Sequence, residues 1–162
     1  MQHPSLEVQM MAFRLLLAAC ALGWITSAHA GDLDVKPDSR IEILYLSAND
    51  CRYCRSWQLF TWKRFSQTPE AQYVRLIKVD RGSLRFSVSE NDYPKEYRHL
   101  YQKALGFGNT VPAWWVLLDG QPIMRSVGGS DWDSRVEPTL VQLVTKKLAG
   151  GGTLSSVGSP TP

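Results

Sequence analysis

Residues 41–65 read IEILYLSANDCRYCRSWQLFTWKRF. Ile41, Ile43, Leu44, Tyr45 and Leu46 form a short, nearly continuous apolar run, the pattern of a strand buried on both faces. Ser47, Asn49 and Asp50 are turn and N-cap residues, each able to offer a side-chain oxygen to free amides of a following helix. From Cys54 onward, Trp57, Phe60, Thr61 and Phe65 recur at helical spacing, interleaved with Arg52, Arg55, Lys63 and Arg64. The reading is therefore strand, polar turn, and helix, with Cys51 and Cys54 on the first helical turn. A thiol at that place feels the positive end of the helix dipole and unpaired backbone amides, both of which favour thiolate. Arg52 and Arg55 add fixed positive charge beside it. The stretch is suited to thiol chemistry.

The remaining cysteines and histidines narrow the choice. Arg14, the apolar run of residues 15–25 and Ala28-His29-Ala30 have the layout of a cleavable export signal, which places the mature start at Gly31. That run is short for a membrane span, and no other segment approaches the length needed. Leu17-Ala18-Ala19-Cys20 offers a second reading, a lipobox that would lipidate Cys20. Only three strongly apolar residues, Leu15, Leu16 and Leu17, lie between Arg14 and Cys20, and the apolar run continues past Cys20, so cleavage after Ala30 is the preferred expectation. Export through that signal is expected to be to the periplasm.

Removing residues 1–30 leaves two cysteines, Cys51 and Cys54, and one histidine, His99. A single pair at this spacing closes too small a loop to staple a fold. A zinc site wants four Cys or His ligands, and the mature chain has three, one of them remote. The pair reads as a redox centre, with no metal and no organic cofactor expected.

The chain has 162 residues and a formal charge of +3, which survives cleavage because Glu7 and Arg14 leave together. This length allows one domain with a single core. The cations are dispersed, with no basic run or aromatic-basic repeat, so no nucleic-acid partner is expected.

Along the mature chain, residues 31–40 read as a lead-in or short first strand. Tyr73-Val74-Arg75-Leu76-Ile77-Lys78-Val79-Asp80 is the next strand, giving a strand–helix–strand spacing that suggests a parallel unit. Residues 81–92 have no period and read as a loop or irregular insertion. A helix is predicted after a cap at Asn91 or Asp92, with Pro94 in its first turn, Tyr97, Leu100, Tyr101 and Ala104 on one face, and Gly106 as its stop. Pro112 then opens an apolar strand, where a missing donor is tolerable. Asp119-Gly120 signals a hairpin to the strand of residues 122–127. A last helix is predicted from Ser130, Asp131 or Asp133, and Pro138 must lie in its first turn or the helix is broken there. The Gly/Ser/Pro/Thr-rich residues 150–162 are expected to be a disordered tail, leaving 31–149 as the domain.

This order of elements resembles the thioredoxin fold over roughly residues 38–149. The resemblance rests on the CxxC at a strand-to-helix junction, Val111-Pro112 opening a strand, the Asp119-Gly120 hairpin and Val127-Gly128 before the last helix. It implies an α/β fold with a central mixed β-sheet flanked by helices, and thiol–disulfide exchange as the activity. Cys51 matches the exposed nucleophile and Cys54 the resolving cysteine. Pro112 matches the cis-proline facing the CxxC, and Val111 the residue whose backbone pairs with a substrate peptide. The implied partners are protein thiols or disulfides and a membrane redox partner, and the chain is expected to be a monomer.

The departures are equally specific. Thioredoxin has Trp-Cys-Gly-Pro-Cys where this chain has Asp50-Cys51-Arg52-Tyr53-Cys54. Tyr53 is more like the exported Dsb-type proteins or glutaredoxins, and Arg52 and Tyr53 are expected to tune the pair. The buried aspartate that assists the resolving cysteine in thioredoxin aligns with Tyr45; Glu42 lies nearby in sequence. Arg52 favours a more oxidising disulfide and Asp50 opposes it, so charge alone does not set the direction of electron flow. The simple architecture leans towards a reductant. A different class of function, a binding or assembly protein of the same fold gripping partners through the Pro112 groove or an aromatic surface, would need no turnover at the cysteines.

Overall fold

The computed structural model describes residues 33–105 and 110–154. The expected leader (1–30), the helix stop at Gly106 and residues 155–162 of the expected tail lie outside the described residues.

The apolar stretch at 41–48 becomes β2 (Ile41–Ala48), following a short β1 (Leu33–Val35), and every residue of β2 is buried. It is flanked on both sides, by β3 (Val74–Arg81) in parallel and by β4 (Ala113–Leu118) antiparallel. β5 (Gln121–Val127) pairs antiparallel with β4 through the turn at Asp119-Gly120, completing a four-stranded mixed sheet of order β3-β2-β4-β5. Both turn residues have positive φ, 52° at Asp119 and 79° at Gly120, as a tight hairpin between twisted strands requires.

Alternation along the strands sorts side chains into two cores. Ile43 and Tyr45 of β2, with Trp114 and Val116 of β4, point to one face with Cys51, Cys54, Trp57 and Phe65. Leu44 and Leu46 point to the other with Val79, Trp115, Tyr93, Tyr97 and Leu100. On the first face lie α1 (residues 52–65) and α3 (residues 129–148); on the second lies α2 (His99–Leu105). The result is an α/β thioredoxin-type fold with a mixed central sheet flanked by helices.

Four expectations need correction. Both long helices contain a widened π segment, Trp57–Trp62 in α1 and Trp132–Val136 in α3. In α1 the wider turn brings Trp57 and Trp62 to one face, with ring centroids 5.8 Å apart, and swings Phe60 outward to 71 % exposure. In α3 the helix begins at Gly129 after a cap at Gly128, ahead of Ser130, Asp131 and Asp133, and Pro138 falls in the first turn of its α segment, Glu137–Leu148. A proline there lacks the amide an α-helix needs and crowds the preceding turn, and the π segment just before Glu137–Leu148 absorbs both.

The helix expected from Asn91 or Asp92 begins later. Ser89 instead caps a 3₁₀ turn (Glu90–Asp92), Pro94 is extended, and a second 3₁₀ turn (Lys95–Tyr97) leads into α2. Finally, Gly152–Leu154 is not a disordered tail: it forms β6, antiparallel to β1 in a separate two-stranded sheet.

Candidate active site

Cys51 sits at the N-cap of α1, with extended backbone angles (φ −82°, ψ 105°). Its amide donates to the Ala48 carbonyl at the end of β2 (3.1 Å), so the turn from strand to helix is closed by backbone alone. Its Sγ accepts a hydrogen bond from the Cys54 amide at 3.0 Å. The sulfur therefore does the capping that the sequence suggested for Ser47, Asn49 or Asp50. Ser47 instead donates to Asp80, and Asp50 faces a loop. An amide aimed at the sulfur favours its anionic form once the bond to its neighbour is broken.

Cys51 and Cys54 are joined as a disulfide, with Cα atoms 5.2 Å apart. Both residues are enclosed, Cys51 at 3 % exposure and Cys54 at 1 %. Cys51 is thus not the exposed residue that the family resemblance implied. The first turn of α1 folds its sulfur back towards Cys54 and the core.

Beneath the disulfide lies an aromatic floor. The Tyr45 and Trp57 rings are 4.3 Å apart, Trp57 and Trp132 4.9 Å, and Trp57 and Trp114 5.4 Å. Tyr45 projects from β2 on the face that carries Cys54, and its hydroxyl donates to the Cys54 carbonyl at 3.1 Å. Gln58 donates to the same hydroxyl at 3.3 Å. Burial pushes the Tyr45 phenol up to about 12, so it remains a neutral donor. Glu42 is excluded from the site by alternation: it lies on the other face, near the start of β2, where it accepts from Tyr97 at 2.8 Å and meets Arg75 at 3.5 Å. No carboxylate on β2 inherits the place of the thioredoxin aspartate.

At the rim, Arg52 and Tyr53 are exposed, and the Arg52 guanidinium lies over the Tyr53 ring, 5.0 Å from its centroid. Asp50 keeps its charge, and its carboxylate is bound by the loop after β3. Its carboxylate accepts from the Ser83 hydroxyl at 2.6 Å and the Leu84 amide at 2.7 Å. These bonds hold its pKa below the usual aspartate value.

Val111 packs against the cluster that contains both cysteines, and the Val111–Pro112 peptide bond is cis. Pro112 is buried, and its carbonyl accepts from the Gly128 amide at 2.9 Å, tying the start of β4 to the start of α3. Thus Cys51, Cys54 and Val111 share one cluster, while Arg52 and Tyr53 face outward above it.

Sequence reasoning missed Gln58 and the loop at 82–86. The only available sign of the latter was an aspartate next to the CxxC, which reads equally well as a helix cap.

No family model matches this chain, and no curated protein does. Solved structures do. The periplasmic thioredoxin SoxS from Paracoccus pantotrophus is 15 % identical, with 65 % of this chain and 96 % of that chain covered and a TM-score of 0.44. Thioredoxin O2 from Arabidopsis thaliana is 19 % identical, with 68 % and 80 % covered and a TM-score of 0.42. A protein described as DsbH oxidoreductase is 19 % identical, with 74 % and 92 % covered and a TM-score of 0.40.

Proposed function

We propose that this chain is a thiol–disulfide oxidoreductase that uses Cys51 as nucleophile and Cys54 as resolving cysteine. The observation that carries the reading is the disulfide at the start of α1, with the Cys54 amide directed at the Cys51 sulfur. In the reducing direction, the Cys51 thiolate attacks one sulfur of a partner disulfide and expels the other as a thiolate, forming a mixed disulfide. Cys54, as thiolate, then attacks Cys51, closing the intramolecular bond and releasing the second partner sulfur. The partner gains two electrons and the chain loses two. In the oxidising direction the same steps run backwards.

Val111 and Pro112 form the wall against which a partner peptide would lie, and Arg52 and Tyr53 tune the rim. The reading includes export by the signal at residues 14–30 to the periplasm, a monomeric state, and a membrane redox partner that returns the pair to its reduced form. Among the described residues no helix is long and apolar enough to cross a membrane. The lean towards reduction is part of this reading.

Replacing Cys51 by Ser should abolish exchange with a protein disulfide, whereas Cys54→Ser should accumulate mixed disulfides visible on non-reducing gels. Full activity of Cys51→Ser would sink the proposal. Equilibration with glutathione buffers sets the direction: a potential near roughly −270 mV supports a reductant, and one near roughly −120 mV an oxidant. Amino-terminal sequencing of the exported protein should start at Gly31.

A second reading, partner binding without turnover, is favoured by the exposed apolar residues Tyr53, Leu59, Phe60 and Phe86. Under it, partner recovery would persist when both cysteines are replaced.

A further inference from the structure

The loop after β3 is built in an unusual way. Polar and backbone groups fix it, while its apolar side chains point to solvent. Asp50 binds Ser83 and Leu84, the Arg85 amide donates to the Ser83 hydroxyl (3.2 Å), and the Phe86 amide donates to the Ser83 carbonyl (3.2 Å). Arg81, itself buried, donates to the Phe86 carbonyl at 3.0 Å. Yet Leu84 is 48 % exposed and Phe86 68 %, and Tyr53, on the first turn of α1, is 64 % exposed. Here the carboxylate next to Cys51 holds them out beside the disulfide.

The surface carries an excess of positive charge. Arg52 and Arg85 are exposed, against the one carboxylate of Asp50, which stays ionised between its two neutral donors. Asp80, the next acid along β3, is paired with Lys78 at 2.9 Å and accepts from Ser47.

We infer that the Asp50-clamped loop is a docking wall for extended polypeptide segments that carry an aromatic or aliphatic side chain beside acidic residues. Leu84, Phe86 and Tyr53 take the apolar side chain, and Arg52 and Arg85 take the carboxylates. The inference rests on the redox reading and names the substrate class of that same site. Asp50 acts here as a positioning residue: it touches the loop, not the partner.

The test uses the full oxidised chain and synthetic cysteine-free peptides, so that binding is read without exchange. One peptide pairs an aromatic residue with glutamates, a second replaces the glutamates by lysines, and a third replaces the aromatic by serine. The first should bind about tenfold tighter than either other, which corresponds to about 1.4 kcal/mol. Its advantage over the lysine peptide should shrink as salt rises.

Phe86→Ser should remove the aromatic preference and Arg85→Glu the acidic one. Asp50→Ala, which removes both acceptors of the clamp, should weaken the aromatic preference, while Leu148→Ser, at an exposed apolar residue of α3, should leave both preferences intact. Equal binding of all three peptides would overturn the inference, as would unchanged preferences in Phe86→Ser and Arg85→Glu. So would sedimentation showing a dimer that Phe86→Ser dissociates, since the face would then belong to a second copy. Exchange with dithiothreitol by the wild-type chain tests the redox reading separately. Exchange without peptide preference defeats the docking wall alone, and preference without exchange defeats the redox reading.

Discussion

At the scale of single residues, Tyr45 shows how position and chemistry can part company. Its place on β2 was legible, because alternation puts it on the same face as Ile43 and towards the helix that carries the cysteines. Its contact with the Cys54 carbonyl was not legible, since a phenol that ends a long side chain reaches a partner that spacing alone does not identify. Tyr45→Phe removes the donor from a buried carbonyl and should cost about 1 kcal/mol in chemical denaturation. The same residue bears on alkaline stability. Burial also pushes Tyr93 and Tyr97 up to about 12. Unfolded tyrosines ionise near about 10, so between that pH and about 12 the unfolded chain has lost protons that the folded chain still holds. Stability is therefore fully present below the unfolded value and falls as pH rises through this window. The fall should be shallower in Tyr45→Phe, and the tyrosinate absorbance that this substitution removes should appear in the wild type only with unfolding. A wild-type minus Tyr45→Phe difference that develops near about pH 10 while the protein is still folded would contradict this account.

At the scale of elements, strands were read well and helices less so, for a physical reason. β2 and β4 are buried along their full lengths, so a continuous apolar run identifies them with little reference to neighbours. The helical reading assumed a constant 3.6-residue period, and a single widened turn breaks it: Phe60, placed on the inner face by that period, is turned outward. The Asp50 clamp escaped notice for a related reason, since its partners lie 33 and 34 positions away. Tertiary contacts also decide how α1 and α3 are joined. Glu137, in the first turn after the π segment of α3, accepts from the Trp132 indole at 2.9 Å and from Arg64 of α1 at 2.7 Å. Trp132 is fully buried in the aromatic floor under the disulfide. Glu137→Ala should therefore cost about 1–3 kcal/mol, because it strands a buried donor. Arg64→Ala, which breaks only the more exposed half of the arrangement, should cost under about 1 kcal/mol. Equal costs for the two substitutions in urea titrations would show that the indole bond contributes nothing.

At the scale of the whole molecule, the two ends of the described chain are tied to each other. A glycine-rich segment following a helix reads as a tail on composition, and composition says nothing about a strand waiting elsewhere to pair with it. Here β1 supplies that strand, with Leu33 opposite Leu154 and Val35 opposite Gly152. The glycines are what make the return possible. Gly150 and Gly151 have φ of 88° and 97°, and the Gly151 amide donates back to the Lys146 carbonyl at 3.0 Å, turning the chain sharply at the end of α3. The turn delivers β6 to a fully buried Val35, while Lys147 donates to the Ser39 carbonyl at 2.7 Å and fixes α3 against the lead-in to β2. At Gly151 a Cβ would lie 2.8 Å from the Val35 carbonyl oxygen, which belongs to backbone and cannot swing aside. Gly151→Ala therefore adds a steric conflict to a left-handed backbone conformation that itself costs about 1–2 kcal/mol for an L-residue. The expected loss is at least about 2 kcal/mol, read as a lowered thermal midpoint, with faster amide exchange at Leu33–Val35. Gly129→Ala, at a glycine where an added Cβ meets nothing within 4 Å, is the matched control and should shift the midpoint far less. If Gly151→Ala melts like the wild type and Leu33–Val35 stay protected, the β1–β6 clasp does not hold the ends of this domain.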